Sequence, residues 1–175
     1  MNLNLLLHIC CGVCASRTIE KLQPDYDITG FFYNPNIEPP DEYKKRLNAA
    51  STLAKHCGIK LIIGDYDNNS WHGAITGLEH LTEGGRRCWR CFRFRLQNTA
   101  ILAKSKHIDY YTTTLTASPY KNTKVINTLG DKIGRIYGLK FVDVNFHSED
   151  FYKPSLARKL KLYHQKYCGC DFSVK

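Results

Sequence analysis

No stretch of this 175-residue chain approaches the roughly 20 apolar residues that a membrane span needs. The opening Met1-Asn-Leu-Asn-Leu-Leu-Leu-His-Ile9 is apolar but short. It lacks the basic residues that precede a secretory leader, so we expect a buried strand there and a cytoplasmic protein without a membrane partner. No internal repeat, linker or low-complexity segment interrupts the chain, which excludes a repeat array and favours one catalytic domain over residues 1–175. Acidic residues are also scarce, with 16 Asp and Glu against 25 Lys and Arg and a formal net charge of +9. Such an excess favours a polyanionic partner such as nucleic acid, although many basic proteins bind none.

Cysteine, by contrast, is abundant. Seven of the eight fall into three clusters, Cys10/Cys11/Cys14, Cys88/Cys91 and Cys168/Cys170, and Cys57 stands apart. In a reducing compartment such clusters bind metal or carry electrons and do not staple a fold. With 43% hydrophobic residues the chain buries a core of its own, so it needs no metal merely to fold.

Apolar and amphipathic segments alternate. Strands are expected in Leu-Asn-Leu-Leu-Leu-His-Ile (3–9), Ile-Thr-Gly-Phe-Phe-Tyr-Asn (28–34), Lys-Leu-Ile-Ile-Gly-Asp-Tyr (60–66), Tyr-Tyr-Thr-Thr-Thr-Leu-Thr (110–116) and Lys-Phe-Val-Asp-Val-Asn-Phe (140–146). Helices are expected near 14–22, 41–57, 70–80, 88–105 and 121–137, the second with Asp41 as N-cap and Gly58 as its stop. This alternation predicts an α/β fold: a Rossmann-like, doubly wound, mostly parallel five-stranded sheet with flanking helices, and a polar helical tail over 150–175. Active groups of such folds gather beyond the carboxyl ends of the strands. That is where Cys10, Cys11 and Cys14, Asn34-Pro35-Asn36, and Thr116 to Lys121 stand.

Cys88-Trp-Arg-Cys91 is a CxxC, whose spacing lets two thiolates grip one metal or cluster. With Cys10, Cys11 and Cys14 it supplies the four sulfurs that zinc or an iron-sulfur cluster requires. Adjacent Cys10 and Cys11 would diverge in an extended segment, so they either meet one cluster from a tight turn or hold separate irons. His8 shares the strand face of Cys10 and is either a ligand, an orienting group or a hydrogen-bonded buried histidine. Cys57 reads as a small core residue. Cys168-Gly-Cys170 suits an easily reduced, strained disulfide that two-electron exchange would regenerate, or two further metal ligands, or idle thiols.

Arg86, Arg90 and Arg93 would share one helix face while Cys88 and Cys91 look elsewhere, which favours a phosphate-contacting surface over a solvated one. Trp89, Phe92 and Phe94 offer planes for bases or for core contacts. The hydroxyls of Thr112, Thr113, Thr114, Thr116 and Ser118 suit ribose or phosphate, or simply a strand. Asn34 and Asn36 either read a modified base or shape the Pro35 turn.

His8-Ile-Cys-Cys-Gly-Val-Cys14, Phe32-Tyr-Asn-Pro-Asn-Ile37, Glu42-Tyr43 with Arg46, Gly84-Gly-Arg-Arg-Cys-Trp-Arg-Cys-Phe92, Thr112-Thr-Thr-Leu-Thr-Ala-Ser-Pro-Tyr-Lys121 and Leu162-Tyr-His-Gln-Lys-Tyr-Cys-Gly-Cys170 resemble the cobalamin-independent epoxyqueuosine reductases of the QueH type. The resemblance covers nearly the whole chain. It implies an oxidoreductase that removes the epoxide oxygen of epoxyqueuosine in the tRNA anticodon loop, yielding queuosine. It further implies a [4Fe-4S] cluster on Cys10, Cys11, Cys88 and Cys91, a redox-active disulfide between Cys168 and Cys170, and an external electron donor. Cys14 would replace a ligand or support an additional mononuclear iron. Arg86, Arg90, Arg93 and Lys121 are the expected tRNA contacts, and Tyr120, Lys121 or His8 the candidates to protonate the leaving oxygen.

Two other classes compete. A zinc-stabilised, non-catalytic RNA-binding module accounts for charge and CxxC but not for the Cys168/Cys170 pair. An ATP-pyrophosphatase-type tRNA thiolase requires an SGGxDS loop after the first strand, where this chain has Cys10-Cys-Gly-Val-Cys-Ala-Ser16.

Overall fold

The computed structural model describes residues 2–144, 146 and 156–173. In chain order the elements are β1 (Leu3–Ile9), α1 (Gly12–Leu22), β2 (Tyr26–Phe32), α2 (Pro40–Cys57), β3 (Lys60–Ile63), α3 (Asn68–Ile75), α4 (Arg86–Ser105), β4 (Tyr110–Thr113), a 3-10 turn (Thr114–Ala117), α5 (Thr123–Tyr137), β5 (Lys140–Phe141), α6 (Leu156–Lys159) and a second 3-10 turn (Asp171–Ser173). The five strands are all parallel in the order β3-β2-β1-β4-β5, with helices on both faces. This is the expected doubly wound α/β fold.

β1 is central and shows why the sheet is buried on both sides. Leu5, Leu7 and Ile9 join Ala15, Ile19 and Leu53 in one apolar layer, whereas Leu6 and Cys10 join Leu96, Ala100 and Leu115 in the other. Period-two alternation thus feeds two cores at once. Burying each of these leucines contributes about 1.5–3 kcal/mol. Because β2 lies on one side of β1 and β4 on the other, the chain changes winding direction between β1 and β4. The crevice beyond their carboxyl ends is where such folds bind ligands.

Local chemistry sets the element limits. Pro39 occupies the cap of α2, with no side-chain cap bond, and Asp41, the expected cap, lies two positions past it in the first turn. There its charge still complements the helix dipole. Gly58 closes this helix at φ 67, as expected. α5 begins with Asn122 accepting from the Val125 amide. α3 is shorter than the expected 70–80, ending at Ile75 just before Gly77 takes φ 81. β4 stops early because the Thr113 hydroxyl caps the Leu115 amide and starts the 3-10 turn.

The tail departs from expectation. Its described part contains only α6 and the second 3-10 turn, and positions 150–155 of the expected helix lie outside the described residues. Left-handed backbone at Lys161 and φ 134 at Gly169 break helical repetition. The tail's main-chain groups bond instead to the β2–α2 connection and to α2: Glu38 N–H donates to Gly169 O at 2.8 Å, and Arg46 donates to the Tyr167 and Cys168 carbonyls.

Candidate functional site

At the winding switch, Cys10, Cys11 and Cys14 bring their sulfurs within 4.8 Å of one another, all buried. Cys10 is the first residue past β1. Its N–H donates to Thr114 Oγ1 at 3.0 Å, and that hydroxyl lies 3.2 Å from Cys10 Sγ as its donor. Cys11 is the N-cap of α1, where Sγ accepts from the Cys14 amide at 3.4 Å and from Gln165 Nε2 at 3.1 Å. A tight turn therefore solves the divergence of adjacent side chains, and the three sulfurs share one locus at a helix N-terminus, where the dipole favours negative charge.

Cys88 and Cys91 ride the first turns of α4. Gly84 N–H donates to Cys88 Sγ at 3.2 Å, so these two sulfurs also stand at a helix N-terminus, outside the tight group of Cys10, Cys11 and Cys14. Cys88 packs in the same apolar layer as Cys10, Cys11 and Cys14, while Cys91 packs with Trp71, Ile75 and Cys170. All eight cysteines are free thiols, Cys168 and Cys170 included. The tail nonetheless brings its pair to the site, because Cys168 and Cys170 raise the Cys88 pKa beyond what burial does, and Cys168 does the same for Cys91. Cys57, at the end of α2, packs elsewhere in the opposite layer.

The thiols share their protons. Hydrogen bonds from Cys11 and Cys14 hold Cys10 well below the usual thiol pKa against burial, with Lys121 and Arg95 adding positive charge. The same bonds push Cys11 up to about 12 and raise Cys14. One thiolate stabilised by two thiols is the result.

His8 is fully buried, and both ring nitrogens are occupied: Nδ1 lies 2.8 Å from Thr113 Oγ1 and Nε2 lies 3.1 Å from the Tyr33 carbonyl. A carbonyl only accepts, so the proton sits on Nε2 and Thr113 donates to Nδ1. Burial, then the charge of Arg95, lowers its pKa from 6.5 to about 3. His8 thus ties the ends of three strands together as a neutral group, with no lone pair left for a metal and no acidic proton to give.

The arginines divide. Arg86, Arg90 and Arg93 are exposed along one side of α4, as their spacing predicts, with Trp89 43% exposed beside them. Arg87 and Arg95 are buried. Arg87 donates to the Glu79 and Leu81 carbonyls and stacks 4.6 Å from the Phe172 ring, whereas Arg95 donates to Asn34 Oδ1 at 2.5 Å. Asn34 in turn donates to the Ile9 carbonyl at 2.8 Å, so it braces the end of β1 and is not open to a base. Phe92 is a core residue. The threonine hydroxyls are likewise spent internally: Thr112 on Val142, Thr113 on His8, Thr114 on Cys10 and Thr116 on Thr113. Tyr120 is 94% exposed, whereas Lys121 is partly buried with its Nζ 3.5 Å from Ser118 Oγ. Burial opposes the Lys121 charge, but Cys168, Cys10 and Cys14 outweigh it and raise its pKa.

The residues fit an iron-sulfur cluster by their chemistry. Five buried cysteine sulfurs lie at two helix N-termini. Trp71 Nε1 and Arg95 Nε are buried beside this locus without a hydrogen-bond partner of good geometry among the described residues. Burial raises the Cys91 pKa, while Arg95 and Trp71 favour charge on its sulfur. N–H donors placed in this way suit the sulfurs of an anionic cluster. Among the described residues no second group of ligand atoms gathers as Cys10, Cys11 and Cys14 do, so an additional mononuclear iron has no ligand set of its own there. Sequence reasoning missed Thr114, Gln165, Trp71 and Arg95 as neighbours of the sulfurs, because none of them sits in a metal-binding spacing.

A family model described as epoxyqueuosine reductase QueH matches residues 5–175. Epoxyqueuosine reductase QueH of Thermotoga maritima is 38% identical over 175 residues, covering 97% of this chain and 90% of that protein. The Streptococcus pyogenes serotype M1 protein of the same name is 34% identical over 180 residues, covering 98% of this chain and 71% of its own length. Among solved structures, the U34-tRNA thiolase NcsA from Methanococcus maripaludis with its [4Fe-4S] cluster superposes with a TM-score of 0.62 at 15% identity. That match covers 99% of this chain and 62% of the thiolase. At that identity the likeness shows a shared fold.

Proposed function

Since the chain belongs to the epoxyqueuosine reductase QueH family, we propose that Cys10, Cys11, Cys88 and Cys91 hold a [4Fe-4S] cluster and that Cys168 and Cys170 are its redox-active thiol partner. The enzyme is an oxidoreductase of tRNA modification: it removes the epoxide oxygen of epoxyqueuosine in tRNA, leaving queuosine. The observation that carries the site assignment is the gathering of three buried sulfurs at the β1–β4 switch, with the α4 CxxC beside the tail thiols, whose charge acts on Cys88 and Cys91. The cluster-bearing thiolase of the same fold is consistent with it. The competing zinc-stabilised RNA module leaves the tail pair without a task and is not favoured.

Loss of an epoxide oxygen to give an alkene consumes two electrons and two protons and releases water. Oxidation of the Cys168/Cys170 dithiol to a disulfide supplies both electrons and both protons, so the overall exchange balances, and an external thiol reductant restores the dithiol. The cluster, when bound, provides one-electron chemistry in a low-dielectric setting. The chain's own residues do the rest. Cys14, third of the gathered sulfurs, stays a thiol and stabilises the Cys10 thiolate by hydrogen bonding. Lys121 keeps its ammonium proton because the charges of Cys168, Cys10 and Cys14 outweigh burial, and it is our candidate to protonate the departing oxygen. His8 is spent on Thr113 and Tyr33, and Tyr120 faces solvent. This placement of Lys121 supports proton transfer more than phosphate contact. The exposed Arg86, Arg90 and Arg93 face, with Trp89, then serves the tRNA backbone.

The test is iron and acid-labile sulfide per chain on anaerobically purified protein, followed by nucleoside analysis of epoxyqueuosine-bearing tRNA after turnover with dithionite or dithiothreitol. About four of each and conversion to queuosine support the reading. Conversion by protein that reproducibly lacks sulfide would refute the cluster assignment.

A further inference from the structure

The tail thiols sit at the sulfur site without belonging to a helix or strand, so something other than regular secondary structure must hold them there. On the far side of Gly169 a buried pair does so. Arg46 is 2% exposed and Glu42 is 5% exposed, one turn apart on α2. Arg46 donates from Nε to Glu42 Oε1 at 2.7 Å, from Nη1 to the Cys168 carbonyl at 2.9 Å and from Nη2 to the Tyr167 carbonyl at 3.1 Å. Its guanidinium also lies 5.3 Å from the Tyr167 ring centre, and the second Glu42 oxygen accepts from Tyr163 at 2.6 Å. Every polar edge of the pair is satisfied, as a buried ion pair requires. The groups the pair engages beyond itself, Tyr163, Tyr167 and the Cys168 carbonyl, all belong to the tail.

We propose that Arg46 is a positioning residue for the Cys168-Gly169-Cys170 pair, a latch whose planar fork grips two consecutive carbonyls and bonds to neither sulfur. The inference rests on the reading of Cys168 and Cys170 as the redox pair. Carbonyls, not thiols, are the handles, so the grip survives whether the pair is dithiol or disulfide. The fork geometry is specific to arginine, because a lysine ammonium presents a single point and cannot span Glu42 and both carbonyls at fixed angles. Gly169 completes the fit: a Cβ there would stand 3.1 Å from Arg46 Nη1 and 3.2 Å from Ile37 Cγ1, on a backbone at φ 134. On the opposite side, Phe172 packs against Trp71 at 6.3 Å and under Arg87 at 4.6 Å, so the pair is suspended between two buried arginines.

The experiment compares cluster-loaded native enzyme with Arg46→Lys, with the charge-balanced Glu42→Gln/Arg46→Met double variant, and with Cys168→Ser. The double variant avoids stranding a buried carboxylate and keeps the test meaningful if Arg46→Lys fails to fold. Three quantities are read: kcat and KM for tRNA, iron and sulfide content, and the rate at which each cysteine is alkylated in the reduced protein. For the Arg46 variants kcat falls on the order of 10- to 100-fold. KM, iron and sulfide stay native, and Cys168 and Cys170 are alkylated faster. Native alkylation with native kcat in both Arg46 variants overturns the latch, as does loss of iron together with kcat, which would make Arg46 a structural support of the cluster site. Native turnover by Cys168→Ser removes the redox-pair reading instead, and the alkylation rates then decide the latch alone.

Discussion

The molecule holds its sulfurs in two differently built regions. Cys10, Cys11 and Cys14 stand on the turn between a central strand and its helix, fixed by main-chain geometry, by Thr114 and by the β1–β4 junction. Cys168 and Cys170 stand on a strap with almost no regular structure, fixed by side chains that reach its carbonyls from α2. The difference suits two tasks. A metal centre needs ligands locked in place on rigid elements. A thiol pair that exchanges with an outside reductant needs access, and Cys168 is only partly buried.

The strongest way to break the comparison is to damage one region and read the other. Cys88→Ser removes a sulfur from the rigid region, and we expect loss of stoichiometric iron and sulfide and no detectable queuosine, while Cys168 and Cys170 alkylate at the native rate. Replacing Arg86, Arg90 and Arg93 with alanine touches neither region. It should weaken tRNA binding by about 10- to 100-fold at low salt and flatten the salt dependence, with cluster content unchanged. Equal salt slopes for native and variant protein in a binding titration would show that this face does not meet phosphate.

Gly169→Ala sharpens the contrast from the strap side. Its added methyl meets Arg46 and Ile37 on a backbone that disfavours side chains, a strain of about 1–3 kcal/mol. Turnover should drop roughly tenfold while the visible spectrum of the cluster stays native. Bleached protein would mean that the strap supports the metal site as well.

The last effect is read in stability and concerns His8, at the base of the rigid region. Folded His8 resists protonation, with its pKa lowered by burial from 6.5 to about 3. As pH falls below 6.5 the unfolded chain takes up the proton first, so stability declines progressively towards pH 3. Between pH 7 and 5 this group alone should cost roughly 2 kcal/mol. In urea melts of cluster-free protein, His8→Asn keeps a donor and an acceptor, loses the titration, and should show a correspondingly shallower acid decline. An identical pH slope would place the acid sensitivity elsewhere.

Much of this was legible in the chain because it is written in local periodicity. Alternation along Leu5 to Cys10, the glycine stop of α2, and the succession of strands and helices specify a doubly wound sheet, with the cysteines directly after β1 at the end where such folds bind ligands. The outward set Arg86, Arg90 and Arg93 follows from helical spacing alone. The strand ends and the tail were less legible. The Thr113 cap that shortens β4 and the tail bonds that replace a helix are each decided by a partner distant in sequence.

By itself, then, the sequence determined the fold class and which residue types carry the chemistry, since spacing and hydrophobic period act between neighbours. Tertiary contacts alone made His8 a neutral brace, spent the Thr112, Thr113, Thr114 and Thr116 hydroxyls inside the protein and set Arg46 on the tail. Those outcomes depend on contacts across a hundred residues or so, such as His8 with Thr113, 105 apart, and Arg46 with Cys168, 122 apart. No local pattern encodes such a contact, because its energy comes from burying and pairing groups that the packed sheet brings together.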